Sequence, residues 1–259
     1  MNYSNVKTLY YKVRTADGVD YDNVSPVVEE TEYFEIHIDK GTVVFHLKRM
    51  VNTIEEAKAL AEEYLKNWEV LIGIEHHPDE LSFTFERADI DTASDIQHTL
   101  RSGASYILVN TLLRCRREKF PSRPTKFRLS PDVETMYVRY KAYKQGREPL
   151  TSMAYMCLKV LEVSASNKRS EAAEKFNISD NLLQKLGKLA NRGGPTEVRK
   201  APKNGKYIPL KSTEKIWMES VVKAIIRRAG EWAYEPTAKL PQLAMADFPS
   251  LQEETKPKG

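Results

Sequence analysis

Apolar and polar residues alternate with a period of two in the first third of the chain, which is typical of β-strands. The clearest stretch is EYFEIHI, a glycine-containing turn at 39–41 and TVVFHLKRM, which together predict a hairpin. Residues 6–14 and 80–87 predict two further strands. Residues 104–117 predict a final strand, with a helix as the alternative because apolar runs fit both. Residues 20–31 are acidic and are expected to be irregular.

One helix is predicted within this first part of the chain. Thr53 and Glu56 form a capping box, in which the threonine side chain accepts from the helix start and the glutamate reaches back. The apolar residues that follow recur at three- and four-residue steps. This spacing predicts a helix with one apolar face, which we expect to lie across the sheet.

The apolar spacing is helical in the second half of the chain. Residues 130–162 predict two antiparallel helices joined by a turn at Gly146. The stretches KRSEAAEKFNISDNLLQKLGKLANRGG and STEKIWMESVVKAIIRRAGEWAY carry further helical stripes, so four or five helices are expected to form a bundle. From Glu235 the chain is proline-rich and has no period, which predicts a flexible tail or an arm that docks on a partner.

These patterns predict an α+β protein of two parts. Residues 1–118 are expected to form an acidic β-rich domain with one packed helix, and residues 130–234 a basic all-α domain. A basic linker at 119–129, interrupted by two prolines, separates them, and residues 235–259 are expected to be a flexible tail.

Charge is distributed very unevenly along the 259 residues, although the net charge is only +4. Residues 1–100 contain 9 Lys and Arg against 20 Asp and Glu, whereas residues 101–259 contain 31 against 16. A basic half favours a polyanionic partner such as DNA or RNA. The alternative is that the two halves complement each other within one chain or in a dimer.

The same composition favours a cytoplasmic protein without a membrane partner. No run of about 18 apolar residues is present, and the N-terminus has no apolar core of a signal peptide. Cys115 and Cys157 are the only cysteines, and two cysteines do not make a disulfide framework. Both are expected to be reduced thiols.

The connector RCRREKFPSRPTKFR, residues 114–128, combines cations with two phenylalanines. Such a stretch can bind nucleic acid, since cations contact phosphates and rings stack on bases. The alternative is a linker in which Phe120 and Phe127 fix the chain to the domain surface.

A second candidate interface lies between residues 172 and 189. Ala173, Asn177, Ile178, Leu183 and Leu186 follow the spacing of a small residue, a turn residue and the apolar anchors of a second helix. This pattern resembles the helix-turn-helix of DNA-binding proteins, which usually has glycine at the position of Asn177. The resemblance implies an exposed face of Asp180, Asn181, Gln184, Lys185 and Lys188. The alternative is a pair of ordinary packed helices.

The helical half also resembles the HEPN-type bundles of prokaryotic defence and toxin–antitoxin proteins. Catalytic members of that family carry an Arg-x(4–6)-His motif, but this chain has no histidine after His98. A binding-only relative is what the resemblance implies. The chain also contains no phosphate-binding glycine loop, Gly-x-Ser-x-Gly, His-Glu-x-x-His or Cys-x-x-Cys, so enzymatic activity is not the leading hypothesis.

Two groups of residues have the chemistry of metal ligands. His37 and His46 fall on the two arms of the predicted hairpin, and Asp89, Asp91 and Asp95 form an acidic cluster. Ordinary surface or core positions are the favoured interpretation of both groups. No metal and no cofactor is therefore predicted.

The functional hypothesis that follows from the sequence is a non-enzymatic intracellular binding or adaptor protein. Its basic half is expected to bind nucleic acid, in a prokaryotic regulatory or phage-defence system. The alternatives are a nuclease or toxin effector and a structural subunit of a homo-oligomer. The residues expected to contact nucleic acid are Arg114, Arg116, Arg117, Lys119, Arg123, Lys126, Gln184, Lys185, Lys188, Arg192, Arg199 and Lys200.

Overall fold

The chain folds into two compact units, Met1–Pro124 and Thr125–Gly259, and their boundary falls inside the predicted linker. Its structure is a computed structural model. The residues that it describes are 5–17, 19–21, 24–91, 115–117, 119–121, 123, 125–194 and 207–251. The first unit contains a sheet with one helix and the second is helical, which confirms the predicted α+β class.

The first unit is built on a five-stranded antiparallel sheet with the strand order β3-β4-β5-β1-β6. A short parallel pair, β2 and β7, forms a separate ribbon. The elements of this unit are β1 (Asn5–Thr15), β2 (Val19–Asp20), β3 (Val27–Glu30), β4 (Phe34–Asp39), β5 (Thr42–Leu47), α1 (Ile54–Glu75), β6 (Leu81–Asp91) and β7 (Cys115–Arg116).

The predicted hairpin is confirmed as β4 and β5. Asp39 pairs with Thr42 across a two-residue turn, and both turn residues are left-handed, with φ of 43° at Lys40 and 75° at Gly41. Such turns match the twist of the paired strands. β3 forms in a stretch that was expected to be irregular, because pairing with β4 satisfies its backbone groups regardless of its acidic side chains.

The core of this unit lies between one face of the sheet and α1. The α1 helix begins after Thr53, whose side chain accepts a hydrogen bond from the Glu56 amide, as the capping box predicts. Trp68 of α1 stacks on Phe83 of β6, and Tyr11 of β1, fully buried in the same apolar cluster, packs edge-to-face on Phe45 and Phe85.

The opposite face of the sheet carries the two histidines of the hairpin. The ring centroids of His37 and His46 are 5.2 Å apart, His37 pairs with Glu35, and His46 contacts the Thr8 hydroxyl. Within the described ranges, no three His, Cys, Asp or Glu side chains are grouped so that they could hold a metal ion. Asp95 and most of the predicted strand 104–117 lie outside those ranges.

The second unit contains five α-helices among its described residues, together with a short 3-10 helix at Met245–Asp247. The α-helices are α2 (Pro131–Lys144), α3 (Leu150–Val163), α4 (Arg169–Lys175), α5 (Asp180–Leu189) and α6 (Ser212–Tyr234). The Ser130 hydroxyl caps α2 by accepting from the Val133 amide, and Gly146 turns the chain between α2 and α3 with φ of 69°. Helix α6 packs against α2, α3 and α5. No helix of the described part is both long and apolar enough to cross a membrane.

The C-terminal segment, residues 235–251, differs from the flexible tail that the sequence predicts. Leu243 pairs with Ile178 in a parallel β-bridge, and Phe248 packs edge-to-face on Trp217 of α6. Backbone hydrogen bonds and the Phe248–Trp217 contact therefore hold this part of the chain on the helical unit. Such bonds leave no periodic signature in the sequence.

Candidate nucleic-acid interface

Helices α4 and α5 are joined by a tight turn, as the helix-turn-helix pattern predicts. Asn177 in this turn is left-handed, with φ of 47°, at the position where glycine is usual. Asparagine adopts this conformation more readily than most residues. Ile178 follows it into the core, and Ala172 and Ala173 are both buried on α4.

Helix α5 is strongly amphipathic. Its buried side carries Leu182, Leu183, Leu186 and Leu189. Its exposed side carries Asp180, Asn181, Gln184 and Lys188, whereas Lys185 is half-buried. The helix therefore presents amide and ammonium groups on a rigid apolar support.

The polar groups of this exposed face have few competing partners. Gln184 accepts from the Arg169 guanidinium at 3.4 Å and donates to Asp180 at 3.5 Å, and both distances are at the long limit for a hydrogen bond. Lys188 has no ion-pair partner among the residues that the structure describes. These side chains can exchange their contacts for a ligand at small cost.

Arg169 links α5 to α3. Its Nε donates to Glu162 Oε1 at 2.8 Å, and its guanidinium covers Gly187, where a Cβ would lie only 2.8 Å from Arg169 Nη1. Burial of Glu162 opposes its ionisation, but hydrogen bonds from Lys159 and Arg169 outweigh burial and lower its pKa. Glu162 is therefore a charged anchor beneath the two helices.

Arg228 of α6 binds the turn between α4 and α5 directly. On its own helix, Arg228 forms an ion pair with Glu231 at 3.2 Å. Arg228 is nevertheless only 3% exposed, and its Nη1 donates to the carbonyls of Phe176 and Asn177, both at 3.0 Å. The one sequence signal for this role is that Arg228 falls on the apolar stripe of α6.

Two connector arginines are engaged with carboxylates of the first unit. Arg117 makes a two-point pair with Glu80, with distances of 3.0 and 2.9 Å, and Arg123 pairs with Glu29 at 2.6 Å. Phe120 stacks on Tyr21 in the first unit. These contacts follow the alternative interpretation, in which the connector is fixed to the domain surface.

The second connector phenylalanine behaves in the same way within the helical unit. Phe127 is buried, and its ring lies so close to Gly230 of α6 that a Cβ there would be 2.0 Å from Phe127 Cε2. The Arg128 amide donates to the Gly230 carbonyl at 3.0 Å. Phe127 is therefore not free to stack on a base, and Tyr21 covers one face of the Phe120 ring.

The remaining predicted contacts fall into three groups. Arg192 is engaged, because it donates to Glu214 at 2.6 Å and to the Pro209 carbonyl. Lys119 and Lys126 are exposed. Arg114, Arg199 and Lys200 lie outside the described residues, as does the side chain of Arg116.

Comparison of the chain with protein-family models, curated proteins and solved structures finds no match. The function is therefore inferred from the geometry and charge of the described residues.

Proposed function

We propose that this protein is a non-enzymatic, intracellular nucleic-acid-binding adaptor whose helix α5 contacts duplex DNA. The observation that supports this proposal is the exposed polar face of α5, held on a buried leucine ridge behind the left-handed turn at Asn177. An α-helix fits the major groove, where each base pair presents a distinct set of donors and acceptors.

The side chains of α5 suit different parts of the duplex. Asn181 and Gln184 carry amides, which can pair with the N6 and N7 atoms of adenine. Lys185 and Lys188 carry charges that suit phosphates. Asp180 is repelled by phosphates and is expected to face base edges, where a carboxylate can accept from N4 of cytosine.

Fluorescence anisotropy with labelled duplex DNA, single-stranded DNA and RNA at two salt concentrations tests the proposal. Binding to duplex DNA should weaken with salt, because each phosphate contacted contributes a log–log slope of about −0.9. A gel readout of the same mixtures detects cleavage. Cleavage would favour the nuclease alternative, and no binding at low salt would refute the proposal.

A double variant examines α5 itself. Gln184→Ala with Lys188→Ala should remove about 1–3 kcal/mol of base discrimination and make the salt slope shallower by about 0.9. Arg147→Ala is the matched control, because it removes one exposed charge at the opposite end of α3 from α4. If the variant loses the same affinity for all duplexes and keeps its sequence preference, Gln184 does not recognise base edges.

The homo-oligomer alternative has its own signature. An assembly held by the opposite charges of the two halves should dissociate in high salt, which light scattering detects. A place in a regulatory or defence system is part of the proposal and rests on the HEPN-like resemblance of the helical half.

A further inference from the structure

Three separate parts of the helical unit meet at the guanidinium of Arg228. The Nη1 atom donates to two carbonyls of the α4–α5 turn, the Nη2 atom donates to the Pro241 carbonyl at 2.7 Å, and Nε faces Glu231. The planar fork of an arginine can serve such divergent acceptors at one time. Helix α6, the turn and the C-terminal segment are thus joined by one buried side chain.

The C-terminal segment adds its own bonds to the same turn. The Asn177 side-chain amide donates to the Leu240 carbonyl at 2.7 Å. The Ser179 amide donates to the Leu243 carbonyl at 2.8 Å, and the Leu243 amide donates to the Asn177 carbonyl at 3.0 Å. Ser179 immediately precedes α5, so these bonds fix the point at which that helix begins.

We infer that Arg228 and residues 240–243 form a clamp that sets the orientation of α5 for contact with nucleic acid, an inference that rests on the proposed function. Arg228 is a positioning residue, because at 3% exposure it cannot itself reach a phosphate. The clamp acts through the backbone of the turn.

The alternative role for a segment beside a binding helix is an inhibitory lid. A lid must leave at low cost, but departure of residues 240–243 would strip Arg228 of its Pro241 acceptor and leave a buried charge less well paired. Removal of the segment should therefore weaken binding, whereas removal of a lid would strengthen it.

Arg228→Met, Arg228→Lys and a deletion of residues 240–259 examine the clamp in the otherwise intact protein. Deletion of residues 252–259 is the matched control, because it leaves every bond of the clamp in place. Arg228→Met and the longer deletion should weaken duplex binding about tenfold, since charge-assisted hydrogen bonds to the turn are lost. Arg228→Lys should be intermediate, because its ammonium keeps the charge without the fork.

Two readouts separate positioning from a loss of folded protein. The salt slope on duplex DNA should become shallower by about 0.9 in Arg228→Met, as a displaced α5 loses at least one phosphate contact. Hydrogen exchange of the Ser179 amide should speed up about tenfold as its backbone bond opens. If Arg228→Met fails to fold, Leu243→Pro provides the same test with the buried arginine intact, because it removes the amide donor to Asn177 and restricts the backbone at residues 242 and 243.

Faster exchange at Ser179 with unchanged affinity and slope would overturn the inference, and so would stronger binding after the longer deletion. Slow exchange at Ser179 in Arg228→Met would also overturn it. A wild-type protein that binds no nucleic acid refutes the proposed function instead, and the exchange data then show separately whether the clamp holds the turn.

Discussion

Asn177 allows the left-handed turn before α5 to be tested without any ligand. Its φ of 47° is a conformation that an ordinary side chain adopts at a cost of roughly 1–2 kcal/mol. Its side-chain amide also donates to the Leu240 carbonyl. Replacement by alanine removes the hydrogen bond and keeps a Cβ in the left-handed conformation, whereas replacement by glycine removes both the hydrogen bond and the Cβ.

The expected magnitudes follow from these two terms. The exposed hydrogen bond is worth about 0.5 kcal/mol, near the lower limit for such bonds. Asn177→Gly also gains unfolded-state entropy, which costs about 0.5 kcal/mol, so its total loss should be about 1 kcal/mol. Asn177→Ala avoids that entropy but keeps the Cβ without the side-chain amide that lets asparagine tolerate a left-handed backbone, so its loss should be about 2 kcal/mol.

Hydrogen exchange of peptides from α4 and α5 is the appropriate assay, because two compact units can unfold separately and a single melting curve would mix them. A difference of about 1 kcal/mol corresponds to roughly fivefold faster exchange in Asn177→Ala than in Asn177→Gly. Equal exchange in the two variants, or slower exchange in the alanine variant, would refute a left-handed turn at this position.

Three further predictions concern other parts of the molecule. Arg117→Ala should destabilise the first unit by about 1–3 kcal/mol, because it removes the cation from the buried Glu80 carboxylate and leaves the Tyr21 hydroxyl as a neutral donor, and it should not change duplex affinity. Gly230→Ala should destabilise the helical unit by about 1–3 kcal/mol, seen in urea unfolding, because the new methyl group overlaps the Phe127 ring. Burial opposes ionisation of Glu219, but Lys144 and Tyr143 outweigh burial and lower its pKa from 4.5. The ionised carboxylate should therefore stabilise the folded helical unit above pH 4.5, and this contribution should be lost in acid. Glu219→Gln should accordingly make the acid unfolding curve less dependent on pH.

Matched variants separate these effects from general damage. Lys119→Ala removes an exposed connector cation and should leave stability unchanged. Gly187→Ala also creates a clash, but with the far end of the long Arg169 side chain rather than with a packed ring, and alanine is favoured over glycine in a helix, so it should cost less than about 1 kcal/mol. Glu174→Gln removes an exposed carboxylate and should leave the acid unfolding curve in place. A large effect in any of these controls would contradict the corresponding explanation.

Elements defined by neighbouring residues could be predicted from the sequence. The β4–β5 hairpin, the Thr53 cap and the turn at Asn177 each depend on side chains within a few positions of one another. Periodicity and turn chemistry are local, and a sequence pattern reports them directly. The same holds for the exposed face of α5, whose polar residues follow the helical period.

Features that depend on distant partners could not be predicted in this way. Arg228 reaches carbonyls 51 and 52 positions earlier in the chain, and Arg117 reaches a carboxylate 37 positions earlier. The C-terminal segment is held by backbone groups, which every residue except proline carries in full. No pattern of side chains distinguishes such a segment from a flexible one.

Counting cations also overstated how many are available to a polyanion. Arg117, Arg123 and Arg192 all face carboxylates, whereas Lys126 and Lys188 remain without an ion-pair partner among the described residues. The guanidinium fork matches a carboxylate and tolerates partial burial, while the strongly hydrated ammonium stays in solvent. The salt slope of duplex binding is therefore expected to follow the few exposed lysines, at about 0.9 for each phosphate contacted, rather than the 31 cations of residues 101–259.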